Sequence, residues 1–127
     1  MTISSKPQLV KLSGAVQHYD WGGKTYIPEL VGTQNAANQP FAELWMGDHP
    51  GAPATAFLPE AEVSLHDLFH AAPDWLGKNM VASFGTRLPY LFKILDVHSM
   101  LSIQVHPDKA AAVEGFREEN KADIPIN

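Results

Sequence analysis

Ten prolines and nine glycines are spread over 127 residues, so no long stretch of this chain can remain uniformly helical or extended. The pieces between these breakers that show clear periodicity are mostly strand-like, which argues against a helical bundle and for a mixed, mainly β domain. Residues 9–19 carry alternating apolar positions interrupted by Ser13 and Gly14, a hairpin-like pattern. They run into Tyr19-Asp20-Trp21-Gly22-Gly23, turn chemistry around two aromatics. Residues 33–40, rich in Asn and Gln, read as a loop, and residues 41–47 as a strand stopped by Asp48-His49-Pro50-Gly51.

Two helices are expected next, forming an insertion at about residues 64–86. Ser64 with Asp67 three residues on has the form of a capping box opening a helix over 65–72, with Leu65, Leu68 and Phe69 on one face. Pro73 suits the first turn of a second helix, in which Trp75, Leu76, Val81 and Phe84 face inward and Gly85 marks the end. Residues 88–96 are a nearly continuous apolar run, the mark of a strand buried on both faces, with Lys93 as the anomaly inside it. A turn at 97–99 leads to a further strand over 100–106, and Pro107 starts an Ala-rich helix over 108–119. The chain stops at Ile124-Pro125-Ile126-Asn127 with no closing element.

Composition removes several function classes. Cysteine is absent, which excludes a disulfide scaffold, a thiolate zinc finger, an iron–sulfur site and a cysteine nucleophile. Any metal must therefore be held by His, carboxylate or amide groups. Fourteen acidic against nine basic residues give a formal charge of −5, so no diffuse basic face exists for nucleic acid. The first ten residues hold no apolar signal core, and no stretch approaches the ~20 apolar residues of a membrane span, so neither membrane nor nucleic acid is expected as a partner and the expected setting is the cytoplasm.

The informative segment is Leu101-Ser102-Ile103-Gln104-Val105-His106-Pro107-Asp108-Lys109. On a strand, Ser102, Gln104 and His106 share one face and Leu101, Ile103 and Val105 the other. Gln104 and His106 could then offer an amide oxygen and an imidazole nitrogen to one metal ion, or form the outward polar face of an ordinary strand. Lys93, one strand earlier, is costly between Phe92 and Ile94 unless it has an anionic partner or lines a cavity. It reads as an anion-binding cation or as an edge lysine reaching water. Lys109, in the first turn of the last helix, is a solvated charge unless the free N–H groups there help it hold an anion. His66 and His70 share a helix face but lack the glutamate of an HExxH site. His18 and His49 lie beside turns. Glu43 reads as a solvent-facing carboxylate on the polar side of its strand rather than a cavity residue.

Three separated motifs agree in order: Tyr19-Asp20-Trp21-Gly22, then Ala42-Glu43-Leu44-Trp45-Met46-Gly47-Asp48-His49-Pro50, then Leu88-Pro89-Tyr90-Leu91-Phe92-Lys93 leading to residues 101–109. Together they resemble type I mannose-6-phosphate isomerase, also called phosphomannose isomerase, over residues 10–119. The resemblance implies a cupin or jelly-roll β architecture with helical insertions. It also implies a zinc enzyme of carbohydrate metabolism that interconverts mannose 6-phosphate and fructose 6-phosphate through an enediol. Carried over by residue, Gln104 and His106 match two zinc ligands, and Lys93 and Ser102 match positions lining the sugar-phosphate pocket. Lys109 falls in the same motif, and Trp21 and Glu43 belong to motifs near that pocket. The family's Asn-His-Lys-Pro-Glu motif, a further histidine ligand and a catalytic-site arginine do not occur among these 127 residues. The resemblance thus implies that residues 1–127 are the N-terminal part of the catalytic domain, a truncation inactive alone, with sheet edges open to self-association. The catalytic base is not assigned. The alternative is a non-catalytic cupin-like module that binds a sugar phosphate or a partner.

Overall fold

The computed structural model describes residues 6–59 and 61–122, and the chain end expected to lack a closing element lies outside them. Among the described residues, six short strands form two antiparallel sheets of three: β1 (Lys11–Ser13), β4 (Thr55–Leu58) and β5 (Ala61–Ser64) in the order β1-β4-β5, and β2 (Ala15–Gln17), β3 (Glu43–Met46) and β6 (Phe92–Leu95) in the order β2-β3-β6. This is the mainly β arrangement with inserted helices that the proline and glycine punctuation predicts. No helix among the described residues is long and apolar enough to cross a membrane.

The hairpin expected over residues 9–19 does not form. β1 pairs with β4 while β2 pairs with β3, so the chain passes from one sheet to the other through the single residue Gly14. A two-residue hairpin loop has no room there, and the crossing is tight: a Cβ on Gly14 would lie 2.7 Å from Leu44 Cδ1 and 2.8 Å from the Trp45 carbonyl oxygen.

Each sheet covers its own apolar cluster. Ala54 and Ala56 pack with Leu65, Leu68 and Phe69 of α2 (Leu65–Ala71), joined by Val63, Trp75, Leu76 and Leu88 at the margin. The Ser64 hydroxyl accepts from the Asp67 N–H at 3.0 Å, which is the cap the sequence predicts, and the inward face of α2 is the predicted one. The second expected helix is instead broken into a 3-10 turn at Pro73–Trp75 and α3 (Lys78–Phe84). Gly77 separates the two with a φ of +82°, which ends the first turn before it can propagate. Trp75 and Leu76 still reach the core, but Phe84 is exposed.

Beneath the second sheet, Ile27 of α1 (Tyr26–Val31), Phe41 and Leu44 are buried, with Val16, Met46 and Ile94 packed against them. One face of this sheet is therefore apolar. β6 is not buried on both faces as expected, because it is an edge strand whose Phe92 and Leu95 are about half exposed. No strand forms over residues 100–106 either. Segment 101–107 is exposed and takes part in no ladder, since none of the described strands lies beside it. After it, Asp108 caps α4 (Lys109–Lys121) by accepting from the Ala111 N–H at 2.9 Å, close to the predicted start. α4 buries none of its residues.

Candidate functional site

The register of β2-β3-β6 places Gln17 opposite Glu43, Trp45 opposite Lys93 and Glu43 opposite Leu95. Because side chains alternate along a strand, Glu43, Trp45 and Lys93 share the face opposite the apolar cluster. Glu43 is 8% exposed, which corrects the solvent-facing reading. Its burial is compensated on two sides. The Lys93 ammonium lies 3.2 Å from Glu43 Oε2, and the indole N–H of Trp45 donates to that same oxygen. Lys93 also stands 4.5 Å above the Trp45 ring, a cation–π contact. The anomalous lysine in an apolar run thus has the anionic partner that its position requires. Its side chain remains 35% exposed, and an ammonium carries three donors, so one carboxylate does not exhaust it.

Trp45 was not singled out by the sequence, although its i, i+2 spacing from Glu43 on a strand is the signal that joins them. Its ring meets that of His49 edge-on at 5.0 Å.

The Tyr19-Asp20-Trp21-Gly22-Gly23 motif lies against the end of β6. Gly22 bridges Val97, Gly23 bridges Phe41, and the Trp21 carbonyl accepts from the His98 and Ser99 N–H groups at 3.0 and 3.1 Å. Glycine is demanded here by close approach: a Cβ on Gly22 would sit 2.5 Å from Ala42 Cα. Trp21 stacks on Tyr19 at a centroid separation of 5.7 Å. Beside Gly23, Asp96 Oδ2 is buried and accepts no hydrogen bond among the described residues.

The remaining sequence candidates stand apart from this cluster. Ser102, Gln104 and His106 are exposed on segment 101–107, and Lys109 is exposed at the start of α4. No hydrogen bond or ion pair links any of the four to Lys93 or Glu43 among the described residues. Gln104 and His106 suit zinc in kind, an amide oxygen and an imidazole, but two donors fall short of the three that a zinc site requires. Among the described residues no group of three His, Cys, Asp or Glu side chains is gathered to hold a metal ion. These residues by themselves do not make a zinc site.

Residues 9–123 match the family model for phosphomannose isomerase type I, catalytic domain. The mannose-6-phosphate isomerase of Escherichia coli (strain K12) is 43% identical over 118 residues, 92% of this chain and 30% of that protein. The mannose-6-phosphate isomerase of Ogataea parapolymorpha is 40% identical over 124 residues, covering 87% of this chain and 28% of that one. A crystal structure of the Salmonella typhimurium mannose 6-phosphate isomerase, bound to fructose 6-phosphate and zinc, superposes with a TM-score of 0.80 at 44% identity, covering 91% of this chain and 29% of that chain. The chain spans about 30% of the length of the curated relatives it matches.

Proposed function

This chain belongs to the family of type I phosphomannose isomerase catalytic domains, and from that premise we propose that it supplies part of the active site of a zinc-dependent isomerase that interconverts mannose 6-phosphate and fructose 6-phosphate. The observation that carries the reading is the family match over residues 9–123, with the sheet face that holds Glu43, Trp45 and Lys93 inside it. Zinc, when bound, would polarise the sugar oxygens and steady the charge of an enediol. Gln104 and His106 are assigned to two of its ligands, with the remainder supplied from outside the described residues. The other roles belong to this chain's own atoms. Lys93, held in place by Glu43 and by the Trp45 ring, presents its remaining donors to the phosphate, and the Ser102 hydroxyl donates beside it. Anchoring the phosphate away from the reacting carbons turns binding energy into orientation. Lys109 and Trp21 border the same pocket in this reading.

The chain alone is assigned no turnover, because two metal donors do not hold zinc in catalytic geometry. A sugar phosphate is a charged solute of the cytoplasm, which is the setting this reading carries. A net charge of −5 favours neither nucleic acid nor an anionic membrane surface as a partner. Both sheets have open edges, at β1 and β5 and at β2 and β6, which supports self-association of the isolated chain. A non-catalytic sugar-phosphate-binding module is the second reading, favoured by the fact that the Glu43–Trp45–Lys93 cluster is assembled without any metal ligand.

A chimaera separates the two. Residues 9–123 replace the matching segment of the Escherichia coli enzyme, and isomerisation is followed by a coupled assay alongside zinc analysis. Expected is a kcat/KM within about tenfold of the parent, a change of ~1.4 kcal/mol in barrier, lost together with zinc on His106→Ala. A folded, zinc-loaded chimaera without activity favours the binding module. Retention of both zinc and rate in the His106→Ala chimaera overturns the ligand assignment. Robust turnover by the purified 127-residue chain overturns the claim that its site is partial.

A further inference from the structure

Next to the sheet face, across the ring contact of Trp45 with His49, a cleft of about 710 Å³ opens between the loop after β3, one side of α2 and the segment leading into β6. That size is within the ~300–1,000 Å³ usual for small-molecule sites. Its polar lining is unlike that of the sheet face: Arg87, His49, His66, His70, Thr86 and Tyr90. Asp48 also lines it, but this carboxylate is buried and accepts from the Leu88 N–H at 3.1 Å. Arg87 has no ion-pair partner among the described residues, and a guanidinium stays charged at every accessible pH. The cleft therefore has a permanent cation whose only lining carboxylate already has a structural role.

The two helix histidines line the same cleft. Their rings are 4.4 Å apart, and His70 Nδ1 lies 2.8 Å from the His66 carbonyl oxygen, to which it donates. Since a carbonyl only accepts, the proton of this bond is on His70 Nδ1, and Nε2 has no hydrogen-bond partner among the described residues. A metal is not the natural occupant, since no third His, Cys, Asp or Glu joins the pair among the described residues. An anion is, because the Arg87 guanidinium fork lines the cleft with no ion-pair partner among the described residues. The guanidinium fork and the Thr86 and Tyr90 hydroxyls offer more donors than a carboxylate's two oxygens can use, whereas a phosphate's three terminal oxygens can use them. Phe84, Leu88 and Leu91, with Pro50 and Pro89, form the rest of the wall and suit an apolar body.

We propose that this cleft, whose lining includes none of Glu43, Trp45 and Lys93, is a second ligand site that binds a phosphomonoester carrying an apolar or aromatic group, with Arg87 as the principal anion contact and His66 and His70 beside it.

The test is a titration of the 127-residue chain with phenyl phosphate and, separately, inorganic phosphate, followed by amide chemical shifts. Expected is saturable binding of phenyl phosphate, tighter than that of inorganic phosphate, with shifts at Leu88, His49 and the α2 histidines. Arg87→Gln should weaken it at least about tenfold, as loss of a charge-assisted hydrogen-bonding group does. The paired variant His66→Asn with His70→Asn should weaken it by a smaller factor, and Arg117→Gln on α4 should leave it unchanged. A dispersed spectrum for each variant shows that folding is retained. Absence of saturable binding overturns the proposal. So does loss of binding with Lys93→Met but not with Arg87→Gln, which would place the anion on the sheet face instead.

Discussion

The polar face of the β2-β3-β6 sheet and segment 101–107 carry the same kind of sequence, apolar residues alternating with polar ones, and they end in opposite conditions. Along β3, Leu44 and Met46 point into an apolar cluster while Glu43 and Trp45 point to the other side, and β2 and β6 pair with the strand along its two edges. Along 101–107, Ile103 is fully exposed and Val105 nearly so, although their apolar character is no weaker. The difference is the partner strand. Alternation decides which side chains would share a face, but burial and ladder hydrogen bonds come only when another strand lies alongside. One half of the proposed pocket is therefore built into a sheet, and the half carrying Gln104 and His106 is not.

The comparison breaks most easily on the cost of side-chain truncation. Leu44→Ala should destabilise the chain by ~2–5 kcal/mol in urea unfolding, as for a buried leucine that leaves a cavity. Gly22→Ala is next, at about 1–3 kcal/mol, because its new methyl meets the Ala42 backbone, which cannot yield as a side chain can. A double-mutant cycle on Glu43→Gln and Lys93→Met should return a coupling of about 1 kcal/mol, modest because the lysine side chain is 35% exposed. Ile103→Ala should change stability by no more than ~0.5 kcal/mol. If Ile103→Ala cost as much as Leu44→Ala, segment 101–107 would be packed in solution, and the contrast between the two regions would fail.

Where local chemistry decides, the sequence was sufficient. The Ser64–Asp67 cap, the inward residues Leu65, Leu68 and Phe69, and the start of α4 behind Pro107 each depend on groups within one or two helical turns. Lys93 was legible as a charge in need of a partner, but not which one. Glu43 is 50 residues away in the chain, and only antiparallel pairing of β3 with β6 brings the two within 3.2 Å. The misreadings share that cause. Residues 9–19 look like a hairpin because two short strands follow each other, yet each pairs with a different distant strand. Residues 88–96 look doubly buried because they are apolar, yet β6 is a sheet edge.

The sequence by itself determined the mainly β class, the caps, the family motifs and the types of donor open to a cysteine-free chain, because composition and short-range hydrogen bonding depend on near neighbours. Tertiary structure alone decided that Glu43 is buried beneath Lys93 and Trp45, that Gly14 carries the chain between sheets, and that Arg87 and three histidines line one cleft. Each of these joins residues far apart in sequence, and pairing between distant strands is set by the packing of the whole chain rather than by any local preference.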